Sequence, residues 1–569
     1  MLFRPELLRF KHGKLTFQGA KPLPLTFVMT RNLPSLPILA AAVLLSVGCI
    51  RPKADMILYN GHIQTVDDSF RVVSAMAIRD GKILATGPDA VLLDFYDADT
   101  TIDLLEQTVY PGFIDAHSHF FGYASDLLKA DLTGTASFRE VLDRLVAFSQ
   151  HNHFDWILGR GWDQNDWPEN SFPDCSELDM LFPDRPVFLV RIDGHAALCN
   201  SAALSLAKID ASTKVAGGEI LLKNGKPTGL LIDNAVELVS GIIPPFPEAL
   251  NRDAILTAQA NCFKAGLTTV TDAGLDPDSI RILQELQDEN QLKLRLNVML
   301  SYRSGTSLSA GPLIEDRLTV RAVKVYADGA LGSRGALLKK PYSDQEDHYG
   351  LLLQDSKQME IIFNEAYRHG FQVCTHAIGD SAVSLVLELY GRRLLGTNNR
   401  RWRIEHSQVV EPDDLPLFRE FSVIPSVQPT HATSDMYWAE NRLGKERISN
   451  AYSYRQQLDA AGTIAFGTDF PVEKIDPLLT FYAAVVRKDL KGFPEGGFQP
   501  GNRIDRKDAL RAMTAGAAYS NFEESRKGSL TSGKFADFVI LDRDLLTVQE
   551  DELSATKVLA TYVGGEKVY

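Results

Sequence analysis

Cysteine is scarce in this chain: five occur in 569 residues, none in a C-x-x-C pair or at the Cys/His spacing of a zinc finger. No thiolate metal site follows, and Cys175, Cys199, Cys262 and Cys374 read as buried free thiols rather than as a disulfide framework. Cationic runs are also missing. The formal charge is -14, and a chain without a concentrated Lys/Arg face does not suit a phosphate backbone, so nucleic acid is excluded as a partner. No apolar run approaches the ~20 residues that span a bilayer. What is present, 45% hydrophobic and 23% charged residues, is the make-up of an ordinary folded globule. The length implies a large catalytic domain with a smaller companion.

The most apolar stretch, Ile38 to Leu45, follows Arg31 and ends in Ser46-Val47-Gly48-Cys49. A basic residue, a short apolar core and small residues before a cleavage point describe a secretory leader. Cys49 stands where a bacterial lipoprotein is acylated, with Ser46 in place of the usual Leu. Residues 1–48 are therefore set aside as leader, those before Met29 as an overlong start. The expectation is export, with a lipid anchor as the sole membrane contact. A homo-oligomer is left open.

Residues 49–109 read as short strands, with Asn60-Gly61 and Asp80-Gly81 as hairpin turn signals, and residues 506–569 end in similar strands after a last helix. Both termini are expected to build one composite β-sandwich domain. Between them, over 110–505, apolar strand-like runs alternate with helix-like segments, which predicts an α/β fold, a (β/α)₈ TIM barrel. Its strands are expected at VYPGFIDAHSH, GLTTVTDAG, LKLRLNVML, TVRAVKVYADG, FQVCTHAIGD, RWRIEHSQ, FSVIPSVQP and TIAFGTDFP, with helices in the gaps. The interval after strand one is too long for a loop, so about 151–235 is expected to be an insertion over the mouth.

Polar residues gather at the C-terminal ends of these runs, the face where such barrels carry their active sites. His117 and His119 are two apart on a strand and point to one side. His376, His406 and Asp469 close later strands at the same end. Five imidazole and carboxylate groups converging on one mouth suit Zn²⁺ or a similar divalent ion, with Mn²⁺ or Fe²⁺ also fitting.

In order along the chain, His117, His119, Lys324, His376, His406 and Asp469 resemble the ligand set of the amidohydrolase superfamily. The phrases KVYADGALGSRGA, THAIGD, RIEHSQ and GTDFPVE resemble the branch that includes N-substituted formamide deformylase, within amidohydrolase family 3. The resemblance implies two divalent metals, with Lys324 bridging them as its CO₂ adduct, a lysine carbamate. The alternative for Lys324 is an ion pair with Asp328 or another acid. The implied reaction is hydrolysis of a C–N bond in a small molecule, an N-formyl or N-acyl amine, with hydroxide as attacker and Asp469 moving its proton to the leaving nitrogen.

His431 and Asp435, after strand seven, are expected to contact substrate. Arg334 either reaches the mouth or forms a structural salt bridge. The resemblance also places His195 and Trp162 near the pocket, although aromatics so dense are commonly core. A lactone, ester or cyclic imide hydrolase is the rival activity. An exported binding lipoprotein is the rival without chemistry, and the presence of Asp469 with all four histidines speaks against it.

Overall fold

The computed structural model describes residues 51–150, 154–302 and 306–569, and Pro52–Tyr569 form one compact unit. The expected leader and Cys49 lie outside the described residues. Eight parallel strands make the central sheet in chain order: β1 Phe113–Ser118, β2 Leu267–Leu275, β3 Arg295–Ser301, β4 Leu318–Tyr326, β5 Gln372–Ala377, β6 Arg403–His406, β7 Ile424–Val427 and β8 Ala465–Phe466. The sheet curls until its two edges meet. Just past β8, Asp469 N donates to His117 O at 2.8 Å and His119 N donates to Phe470 O at 2.8 Å. Gly467 makes this closure sterically feasible, because a Cβ there would lie 2.5 Å from His117 N.

The strands are buried on both faces, as their β-branched, apolar runs require. Helices cover the outside, among them Glu248–Lys264, Pro277–Asp288, Ser356–His369 and Asp380–Leu394. The gap between β3 and β4 differs from expectation. Among the described residues it holds no helix, only the strand Leu313–Ile314, antiparallel to β4.

The run expected as the first barrel strand divides in two. Thr108–Pro111 pairs with Phe538–Leu541 from the C-terminus, and the barrel strand starts after Gly112, where a Cβ would lie 2.3 Å from Thr268 Oγ1. The segment Asn60-Gly61 also departs from the expected hairpin. Lys53–Tyr59 belongs to a four-stranded sheet and His62–Gln64 to a six-stranded one, so this turn carries the chain between sheets. Asp80-Gly81 does close a hairpin, both residues having positive φ, 52° and 71°. The six-stranded sheet combines strands from both ends of the chain, and Leu58, Ile63, Ile83, Val109, Phe538 and Tyr562 share one core.

A second six-stranded sheet, from Ala130–Asp131 to Lys226–Asp233, carries the residues between β1 and β2. It has its own core around Trp162, Trp167, Leu189 and Leu198. Cys199, Cys262 and Cys374 are buried, Cys175 is partly exposed, and no disulfide joins these four.

Candidate metal centre

One face of β4 carries Ala322, Lys324 and Tyr326, and the facing residues of β5 include Cys374 and His376. Ala273, Met299, Ala322 and Cys374 fill the barrel one step earlier along the strands, so the polar groups stand on a packed apolar floor. His117, His406 and Asp469 present ligand-type atoms within 4.8 Å of one another. His119 Nε2 lies 3.2 Å from Asp469 Oδ1, His117 Nε2 3.7 Å from the same oxygen and His431 Nε2 3.7 Å from Oδ2. The His376 ring is 4.5 Å from that of His406, and Lys324 Nζ is 3.4 Å from His117 Nε2. All six residues of the expected ligand set therefore share one mouth.

The backbone turns them inward. His406 and Asp469 have φ of 69° and 62°, left-handed values at the ends of β6 and β8 that bend each chain out of strand geometry. Strain of this kind persists where the surroundings fix it, and functional sites are where it collects.

The second ring nitrogens are fixed as well. His117 Nδ1 donates to Glu405 Oε2, and His406 Nδ1 donates to Gln428 Oε1 at 2.8 Å. Each bond places the proton on Nδ1 and leaves the Nε2 lone pair facing the centre, the tautomer that a metal-binding imidazole needs. Burial opposes charge on these rings. It pushes His117 down to about 4, with the Lys324 ammonium adding to the effect, and drives His376 and His406 well below the usual imidazole value. Neutral rings result.

The carboxylate behaves in the opposite way. Burial alone would raise Asp469, but the close approach of His119, with His117 and His431 beside it, holds it well below the ordinary carboxyl range. Its Oδ1 is buried without an aligned hydrogen-bond partner. A buried carboxylate oxygen without an aligned hydrogen bond, crowded by imidazole nitrogens, is a costly arrangement in a protein alone, and it is the donor set a divalent cation accepts. The residues present fit a metal. Replacing Glu405 by Gln frees the His117 ring to reorient, and the expected result is metal affinity lower by about 10–100-fold. Metal retained during dialysis against graded chelator measures this; retention equal to the unaltered protein would show that Glu405 does not hold the ring.

Lys324 is buried, and burial lowers its pKa. Asp328, its alternative partner, instead accepts from the backbone N–H groups of Leu337, Ile378 and Gly379 at 2.8, 3.0 and 2.8 Å. Among the described residues no carboxylate pairs with the Lys324 amine.

The centre opens into a cavity of about 1340 Å³, lined by barrel residues and by Arg160, Asp163, Arg191 and His195 of the inserted sheet. His195, His431 and Asp435 line it. His195 donates from Nδ1 to Asp233 Oδ1 at 2.7 Å, its ring 5.2 Å from that of His376. Asp435 is held by Tyr452 Oη and Gln408 Nε2 at 2.8 and 3.0 Å.

Two candidate contacts stand away from the cavity: for Arg334 the salt-bridge alternative holds, and for Trp162 the expected place near the pocket is corrected. Arg334 turns away to a two-point ion pair with Asp344, at 3.1 and 2.9 Å, where Arg442 also binds. Trp162 is 1% exposed, donates to Leu189 O at 2.9 Å and packs on Trp167 and Phe172 inside the insertion. Glu405 and Gln428 were not foreseen. The signal available was position: Glu405 adjoins His406, and Gln428 follows strand seven at the same end of the barrel.

The amidohydrolase family model matches residues 100–569. The chain is 35% identical over 539 residues to Protein LONG AFTER FAR-RED 3 of Arabidopsis thaliana, covering 91% of this chain and 92% of that protein. It is 26% identical over 539 residues to N-substituted formamide deformylase of Arthrobacter pascens, covering 90% and 97%. The crystal structure of an uncharacterized metal-dependent hydrolase from Pyrococcus horikoshii OT3 superposes with a TM-score of 0.72 at 30% identity, over 87% of this chain and 99% of that one. With a family model matching most of the chain and a solved relative sharing the barrel, this protein belongs to the amidohydrolase family of metal-dependent hydrolases.

Proposed function

We propose that this protein hydrolyses a carbon–nitrogen bond, other than a peptide bond, in an N-formyl or N-acyl amine. The observation that carries the reading is the bare Oδ1 of Asp469, set among three imidazoles at the floor of a large cavity. The name of the 26% identical relative adds the substrate class by analogy. In this reading His117, His119 and Asp469 would hold one divalent ion, zinc by the chemistry of the donors, and His376 and His406 would hold a second. Lys324, as the carbamate formed when its amine adds CO₂ and releases a proton, would complete the ligand set. The bound ions supply Lewis acidity to the substrate carbonyl and bring the pKa of water towards neutrality.

The chain does the rest. Asp469 takes the proton of the attacking water and delivers it to the leaving nitrogen. His431, stacked on His406 with ring centroids 6.0 Å apart and Nε2 unpartnered, is placed to steady the substrate oxygen. His195 and Asp435 border the space for the amine portion. The cavity exceeds the ~300–1,000 Å³ of common small-molecule pockets, so a bulky amine or acyl group is accommodated.

Zn²⁺-loaded protein assayed on N-formyl amines, N-acyl amino acids, lactones and cyclic imides tests the reading. Amide turnover is the expected outcome. Activity confined to lactones and esters would replace it with the rival activity. We also propose export with acylation at Cys49; intact-mass spectrometry should then show a diacylglyceryl adduct on a chain beginning at Cys49, and a mature start elsewhere refutes the anchor. Among the described residues no helix is long and apolar enough to cross a membrane.

A further inference from the structure

Five arginines are buried among the described residues: Arg191, Arg295, Arg403, Arg442 and Arg487. Four have a carboxylate. Arg191 pairs with Asp163 and Asp193, Arg295 with Asp537, Arg403 with Glu405 and Arg442 with Asp344. Arg487 is fully buried, yet both Nη1 and Nη2 lack any hydrogen-bond partner among the described residues. Only its Nε is engaged, donating to Phe498 O at 2.9 Å. The faces of Tyr454 and Phe498 stand 5.5 Å from the guanidinium carbon.

The neighbouring phenols cannot balance this charge. Burial raises both Tyr454 and Tyr452 far above the ordinary tyrosine value, so both are neutral, and their hydroxyls already donate to Gln428 O and Asp435 Oδ2. Burial pushes Arg487 down to about 10, which still leaves it cationic at neutral pH. A guanidinium shut away from water without a counter-charge is strongly disfavoured, and the other four buried arginines show how this chain ordinarily avoids that state.

We propose that Arg487 holds a buried inorganic monovalent anion of the halide class on its Nη1 and Nη2 groups. One cation calls for a single negative charge. Two convergent N–H₂ groups between aromatic walls suit a small, weakly hydrated ion, whereas phosphate would bring more charge and more acceptors than the donors present can satisfy. The location has a consequence for the cavity. Arg487 ends the helix Pro477–Val486, and its backbone and side chain clasp Phe498 twice, through Arg487 Nε to Phe498 O and Phe498 N to Arg487 O at 2.6 Å. The enclosed residues 488–497 include Leu490, which lines the cavity wall. The anion thus secures the base of a rim segment, independently of which bond the metal centre cleaves.

The test uses the full chain crystallised in sodium bromide, with diffraction recorded at the bromine absorption edge. The expected result is an anomalous peak at hydrogen-bonding distance from Arg487 Nη1 and Nη2, absent in crystals of Arg487→Met. In solution, the unfolding temperature of the unaltered protein should rise with bromide at constant ionic strength set by gluconate, as a ligand of the native state requires, and Arg487→Met should lose that dependence. If Arg487→Met does not fold, the map and the bromide titration of the unaltered protein still decide. A bromide-edge map without a peak at Arg487, a refined water in its place, or an unfolding temperature indifferent to bromide overturns the proposal.

Discussion

Replacing Asp469 by Asn should abolish most turnover while leaving the barrel folded and most of the metal in place. Asn keeps the shape of the side chain and an oxygen donor, and four imidazoles, His117, His119, His376 and His406, remain. What disappears is the capacity to accept a proton and pass it on. On the proposed reading that capacity rests on geometry: Oδ1 makes no aligned hydrogen bond, and His119 and His117 close around a carboxyl held well below its ordinary range. Loss of positioned proton transfer lowers rates by a factor on the order of 10²–10⁴. The effect should fall on kcat, with KM changed little, because the amine portion of the substrate is held elsewhere. Steady-state kinetics with metal analysis on the same preparation checks this. Unimpaired kcat would remove Asp469 from the chemistry, and loss of metal together with activity would make it a ligand first.

How much of this was legible beforehand follows from the range of the interactions involved. Buried parallel strands announce themselves locally, through β-branched runs that end in polar residues, so each of the eight barrel strands overlaps an expected run, three of them overrunning it by one residue, and His117, His119, His376, His406 and Asp469 share one end of the barrel. The limits of those runs were harder to see. Val109–His119 reads as one strand, and it is Gly112, meeting Thr268 from a distant strand, that divides it between two sheets. Asn60-Gly61 has the residues of a hairpin turn, but the sheets on either side choose different partners for its flanks. Reach was least legible. Arg334 is long enough to enter the mouth, and its destination is decided by Asp344 in a neighbouring loop. Trp162 is decided by the carbonyl of Leu189 and by the aromatic neighbours that bury it. Glu405 adjoins His406 in sequence, yet its task is to hold His117, 288 positions away. Such roles belong to pairs of distant residues.

The largest stability effect is expected at Arg403. This guanidinium is fully buried and donates from Nε to Glu405 Oε1 at 2.7 Å and from Nη2 to Glu405 Oε2 at 2.9 Å, with further bonds to Ala116 O, Ser426 Oγ and Asn521 Oδ1 at 2.6, 2.8 and 3.1 Å. It joins β6 to β1, β7 and the C-terminal segment while balancing the carboxylate that orients His117. Arg403→Met fills much of the space but strands Glu405 as an uncompensated buried charge, which costs about 3–5 kcal/mol. The double change Arg403→Met with Glu405→Gln removes that charge and should recover part of the loss, although the His117 ring then lacks its carboxylate. The pH dependence has a definite sign. Burial alone would raise Glu405, but Arg403 and His117 hold it well below its usual value, so its contribution is present above the unfolded carboxyl range and fades as pH falls through the depressed native value. In Arg403→Met the carboxyl takes up a proton more readily, so the gap between the two proteins should narrow on acidification. Urea unfolding at neutral and acid pH, on metal-free samples of all three proteins, provides the measurement. A deficit for Arg403→Met on the order of 1 kcal/mol, the scale of an exposed ion pair, would mean that the Arg403–Glu405 pair is hydrated and does not brace the metal centre.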